Sequence, residues 1–191
     1  MLTPEELDVL GPTLYRSMST AQIAALAPEQ LASMSPATLV SLTTAQFAAL
    51  SPAQVSALSA EQLAALETAD LRALTTAALR GLSAEQLSAL QSSQLAALTS
   101  TQIVALSSTQ LTELPSDTLN ALTTAQFNVL TTSQVLSLTP EQIGHLETAD
   151  LRALGSAAVR SLSNEQLDAL TPDQWLALST QQVAALSSTQ L

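Results

Sequence analysis

From Thr3 onward the chain divides without a gap into eight-residue units: TPEELDVL, GPTLYRSM, STAQIAAL, APEQLASM, and so on to STQQVAAL at 179–186. The 191 residues hold 23 complete octads, preceded by two residues and followed by a remnant, SSTQL. So short a period constrains the fold more than any bulk property, because each repeat has room for one short element and no core of its own.

Each column of the octad has a chemical identity. Position 1 is Ser or Thr in 16 of 23 octads, position 4 is Gln in 15, position 5 is apolar in all, and position 8 is Leu in 21, Met18 and Met34 being the exceptions. Position 7 is mostly Ala or Ser. Ser/Thr-x-x-Gln ahead of an apolar residue is the capping-box pattern: the hydroxyl accepts from the N3 amide, and the Gln side chain reaches back to the N-cap amide. The Leu closing one octad then falls at N′ of the next helix and position 5 at N4, the hydrophobic-staple pair. Proline agrees independently. Seven of the eight prolines (Pro4, Pro12, Pro28, Pro36, Pro52, Pro140, Pro172) occupy position 2, the first helical residue, where a missing N–H has no partner to lose.

One continuous helix is excluded, since eight residues at 3.6 per turn drift by about 80° per repeat and the prolines would each cost about 3 kcal/mol. A β-solenoid is excluded because no octad alternates apolar and polar residues. The helix therefore restarts in every octad. Six residues fall short of the roughly 12 to 15 that make an isolated helix even marginal. Burial of positions 5 and 8 offers about 4 kcal/mol per octad, against about 1 to 2 kcal/mol of backbone entropy for each residue fixed. Octads fold only by stacking. The expected fold is all-α, an elongated solenoid (superhelix) of short capped helices, one per octad. It is read as a single array over 1–191, with 3–18 as atypical N-terminal capping octads, 19–186 as regular octads and 187–191 as a truncated one. Position 4 is expected to act as a cap alone, so that Gln126→Ala costs on the order of 0.5 to 1 kcal/mol.

A longer period overlies the short one. ETADLRAL occurs at 67–74 and 147–154, TTAQF at 43–47 and 123–127, and Ala78 and Ala158 both replace Gln, all at an offset of 80 residues. The opening pair TPEELDVL and GPTLYRSM resembles ETADLRAL and GSAAVRSL at an offset that differs from this by two octads, which points to a sixteen-residue helix pair as the structural step. Three or four octads per turn stay open.

Composition narrows the function. The net charge is −11, there is no Lys, and the five basic residues are Arg16, Arg72, Arg80, Arg152 and Arg160. Nucleic acid and anionic membrane need clustered cations, and are excluded as partners. Without Cys there is no disulfide or thiolate chemistry. The first thirty residues carry no secretion signal, and no stretch approaches the ~20 apolar residues of a membrane span. No cofactor or metal is expected, and no enzymatic activity.

Runs such as LTTAQFAAL, LTTSQVLSL and LTPEQIGHL resemble the LTTAQ-type octapeptide-repeat arrays of large bacterial adhesin-like proteins and exoproteins, some described as haem-utilisation proteins. The resemblance covers 3–191 and implies a cell-surface or secreted setting. No residue supports haem, as the sole His, His145, sits in the small, packed column at position 7. LTPEQI at 138–143 is also similar to the opening of a TAL-effector repeat, but those repeats are much longer than an octad and belong to basic proteins.

His145 has no second His or Cys with which to form a metal site or a dyad and reads as a packing variant. The Ser and Thr residues are committed to caps. Glu61, Glu85, Glu141, Glu165 and Asp173 fall in first turns, where the helix dipole favours anions. Tyr15 and Trp175 stand at position 5 and read as core fillers. Glu67, Asp70, Arg72 and Arg80 return as Glu147, Asp150, Arg152 and Arg160. All arginines are at position 6, the most variable column, expected to face solvent. Arg72, Arg80, Arg152 and Arg160 with Asp70 and Asp150 thus form a candidate interaction patch, weighed against plain ion pairs or solvated charge. The leading function is a structural scaffold or spacer within a larger protein. The alternatives are a protein- or peptide-binding solenoid, and ice or glycan recognition by Ser/Thr rows such as Thr43-Thr44 and Thr123-Thr124. Self-association is expected through Val183, Leu186 and Leu191, while Glu5, Glu6 and Asp8 form a more polar start.

Overall fold

A computed structural model of the protein describes residues 11–190; the first octad, with Glu5, Glu6 and Asp8, and the terminal Leu191 lie outside the described residues. Among the described residues every regular element is helical. There are 22 helices of four to seven residues, one for each octad from Gly11–Ser17 to Thr180–Ala185.

The capping box forms as the column chemistry demands. At Pro52–Ser56 the N-cap Ser51 is extended (φ −74°, ψ 158°). Its hydroxyl accepts from the Gln54 amide at 3.2 Å, and its own N–H donates to Gln54 Oε1 at 2.9 Å. Where the N-cap has no hydroxyl, half of the box survives: the Ala27 and Gln91 amides donate to Gln30 and Gln94 at 2.8 and 2.7 Å. The helix ends as the position 8 amide turns back on position 5, as in Leu66 N–H to the Leu63 carbonyl at 3.2 Å. Leu66 and Glu67 are then both extended (φ −64°, ψ 143° and φ −71°, ψ 149°), and these two residues make the corner. No corner needs a left-handed residue; only Gly11, at φ 70°, has a positive φ among the described residues.

Positions 4, 5 and 8 form one stripe of the short helix, since i, i+1 and i+4 share a face. Position 5 is at most 3% exposed from Ile23 to Leu167, and position 8 is buried from Leu42 to Leu186. Positions 2, 3 and 6 are predominantly exposed.

The chain forms two compact units, Met1–Ala105 and Leu106–Leu191. Each is wound by the same rule. In the first, helix Thr44–Ala48 packs on Thr68–Ala73, and Thr76–Arg80 packs on both Pro52–Ser56 and Ser100–Ala105. In the second, Thr124–Val129 packs on Thr148–Ala153, and Ser156–Arg160 on Thr132–Ser137 and Thr180–Ala185. These partners are three octads apart, whereas side-chain hydrogen bonds, such as Gln54 to Ile23 and Gln142 to Leu111, join octads four apart. One superhelical turn within each unit therefore takes between three and four octads. The sixteen-residue helix-pair step does not occur, because a two-residue corner turns the chain too little to bring alternate helices back on each other.

Leu122, at 4% exposure, lies in the buried position 8 column. Leu122→Ala should destabilise the protein by about 2 to 5 kcal/mol in urea unfolding, as a buried Leu truncated in a rigid wall. A loss comparable to that of an exposed-site substitution would remove position 8 from the core.

Candidate functional site

The position 4 glutamines do more than cap. Most of their side chains are buried, and once Oε1 has taken the N-cap amide, the amide nitrogen points into the preceding turn. Gln54 Nε2 donates to the Ile23 and Leu26 carbonyls, both at 2.9 Å. Gln142 reaches the Leu111 and Leu114 carbonyls, both at 2.8 Å, and Gln182 those of Leu151 and Leu154 at 3.0 and 2.9 Å. The acceptors in these cases lie 31 and 28 residues earlier, at positions 5 and 8 of the octad four before; Gln86 instead takes the Ser56 and Leu58 carbonyls, 30 and 28 residues earlier. The position 8 carbonyl gains a donor in this way, and the position 5 carbonyl, which already accepts from the position 8 amide of its own octad, gains a second. One side chain thus satisfies the start of its own helix and the end of another.

This corrects the expectation that position 4 is only a cap. The partner lies a full turn away, so octad spacing alone does not reveal it. A signal was nevertheless present: Glu serves a capping box as well as Gln and suits a helix N-terminus better, yet Glu6 is the one Glu in this column. The chain selects the side chain that can also donate.

A second contact runs forward. Position 6 side chains donate to position 7 carbonyls 25 residues later: Arg80 Nε to Ala105 at 2.7 Å, Thr112 Oγ1 to Ser137 at 2.8 Å, Asn120 Nδ2 to His145 at 2.8 Å and Asn128 Nδ2 to Ala153 at 3.0 Å. The variable column is therefore a rim that closes helix C-termini, not merely a solvated face. Arg72, Arg80, Arg152 and Arg160 are exposed as expected. Arg72 and Arg80 sit on consecutive helices joined by a corner, each of which packs on helices three octads away. His145 is exposed, contrary to its reading as a packed residue; its ring Nδ1 lies 2.8 Å from the Glu141 carbonyl. Position 7 lies at the helix C-terminus, where an imidazole can fold back outside the stack. Tyr15 is fully buried, while Trp175 is half-buried and lines a cleft with Leu167, Asp168 and Gln190.

Asp70 and Asp150 are not surface companions of the arginines. Each is 4% exposed and occupies the glutamine column. An ionised Asp cannot donate, and its side chain is one methylene shorter, so the amide that would reach the Leu39 and Leu42 carbonyls, or those of Leu119 and Leu122, is missing. At the first position a cleft of about 270 Å³ is lined by Val40, Ser41, Leu42, Thr44, Glu67 and Asp70, with Arg16 at its edge. Thr44 donates to Asp70 Oδ1 at 3.0 Å. Burial pushes the Asp70 carboxyl above its ordinary range, against the Thr44 bond, with Glu67 adding to the rise. The Asp150 carboxyl is pushed up to about 6 by burial and then by Glu147.

Another recurrent break in the column has an apolar solution. Ala78 and Ala158 stand where an amide would reach the residue 31 places earlier, and those residues are Phe47 and Phe127, the two Phe of the sequence. Both Phe and both Ala are buried. The larger ring takes up volume that the absent Gln side chain vacates.

The ALTTAQ repeat matches residues 24–60, 63–100, 113–146 and 143–180. Comparison with curated proteins returned no match.

The two roles of position 4 separate in one pair of substitutions. Gln142→Ala orphans the Thr139 amide and the Leu114 carbonyl, leaves the Leu111 carbonyl with the Leu114 N–H alone, and should cost on the order of 2 to 4 kcal/mol. Among the described residues Gln22 bonds to Ser19 alone, so Gln22→Ala should cost about 0.5 to 1 kcal/mol. Equal losses in chemical denaturation would show that the inter-turn bonds contribute nothing.

Proposed function

Because the chain belongs to the ALTTAQ repeat family, we propose that it is a non-enzymatic structural segment, a scaffold or spacer within a larger bacterial protein. The observation that carries this reading is the glutamine column. From Gln46 to Gln182 the position 4 glutamines spend their polar side chains on joining the chain to itself, once locally and once across the turn. The hydroxyls of position 1 are spent likewise on caps, which weighs against a Ser/Thr row that recognises ice or glycan. The cell-surface or secreted setting implied by the resemblance belongs to the same proposal.

A spacer must hold its dimensions. Spin labels at the exposed Ala21 and Ser93, both within the first unit, should give a narrow distance distribution that is unchanged by Gln22→Ala and broadened by Gln54→Ala. A broad distribution in the unsubstituted protein would rule out a spacer role.

A protein-binding reading has one observation of its own. In the last octads Leu176 is 85% exposed and Val183 40% exposed, beside the half-buried Trp175. Exposed apolar side chains grouped in this way favour association. Sedimentation over a concentration series should show self-association that Leu176→Gln with Val183→Gln reduces without loss of helical signal. A monomer at all concentrations sinks this reading.

A further inference from the structure

In most octads the fourth position presents an N–H to the preceding turn. At Asp70 and Asp150 the same buried place holds a carboxyl group, which cannot donate while ionised; Thr44 donates to the first, and the second has no hydrogen-bond partner among the described residues. A carboxylate buried where the other octads place an amide is disfavoured unless a proton, a donor or a cation neutralises it. We propose that Asp70 and Asp150 are proton-binding joints. Protonated, each carboxyl donates to a carbonyl of the preceding turn, Leu39 or Leu42 in one case and Leu119 or Leu122 in the other, and so restores the contact that glutamine makes elsewhere. Ionised, each opposes it, and the two seams loosen.

The charged surroundings favour the proton. Helix Thr148–Ala153 packs on Thr124–Val129, which carries no titratable side chain, and on Pro172–Ala177, which carries only Asp173. Its own octad supplies Glu147, which disfavours a second negative charge, and Arg152, which is exposed. Helix Thr68–Ala73 packs on Thr44–Ala48 and Ser92–Ala97, neither with a titratable group; Glu67 and the exposed Arg72 share its octad, and Arg16 stands across the cleft. The Asp150 carboxyl makes no hydrogen bond with a described residue, while Asp70 has Thr44. Asp150 is thus the stronger joint. The folded state holds these protons more tightly than the unfolded chain, so the stabilisation is full below the ordinary Asp range, is lost as pH rises through the folded value, and returns on acidification.

The test follows the Asp150 carboxyl carbon by NMR and unfolds the protein in urea at pH 7.5 and pH 5. The expected midpoint for Asp150 is near 6. The urea midpoint of the unsubstituted protein should rise on acidification by more than that of Asp70→Asn with Asp150→Asn. Asp150→Gln, which returns the amide, should be the more stable protein at pH 7.5 and show a smaller rise. An Asp150 midpoint in the ordinary range near 3.8 overturns the proposal, as does an equal rise in every variant. Stabilisation by Ca²⁺ or Mg²⁺ at pH 7.5 that the double variant loses also overturns it, since the carboxylates would then keep their charge and take a metal.

Discussion

Each turn of this protein hangs on a primary amide with two ends. A helix of five or six residues has more orphan backbone groups than internal hydrogen bonds, so its termini decide whether it exists at all. The position 4 glutamine answers both termini with one side chain, through an oxygen that holds the first N–H of its own helix and a nitrogen that holds the last carbonyls of the helix below. Leucine burial drives the stacking, but leucine has no direction. The amide supplies the register, because it reaches its two acceptors only when the turn closes between three and four octads.

The local half of this was legible in the sequence and the long-range half was not. Ser51, Pro52 and Gln54 announce a helix start within four residues, and Leu58 announces its burial, because those interactions are completed inside the octad or at its edge. Ile23 and Leu26, which receive Gln54 Nε2, carry no mark of that role, since a backbone carbonyl is the same in every residue. The number of octads per turn is likewise a property of the corner, where Leu66 and Glu67 adopt extended angles that many residue pairs could adopt. The recurrence of Asp70 and Asp150 was visible, but their association with the neighbouring arginines was a surface reading of a buried column. Only the superhelical turn separates position 4 from position 6 so completely.

The exceptions in the column show how the amide is dispensed with. At Ala78 and Ala158 the interior becomes apolar and a Phe from the turn below occupies the space. At Asp70 and Asp150 it stays polar and accepts an electrostatic conflict. The first solution costs hydrogen bonds and gains ring packing; the second leaves a group whose charge depends on its surroundings. The two kinds stand in adjacent octads, so each ten-octad block carries one apolar and one ionisable break side by side.

Because each alanine break is matched by a Phe 31 places earlier, the chain has a natural grain for genetic change. Unequal recombination that adds or removes one ordinary octad leaves a glutamine with another backbone carbonyl to find, and the lesion heals by re-pairing. The same event between Phe47 and Ala78 parts the ring from the alanine and leaves the alanine above a smaller residue, and nothing re-pairs. A copied segment is safe when it is long enough to carry both members. Inheritance of the array in blocks of 80 residues, each with its own Phe and Ala, is the pattern that this rule permits.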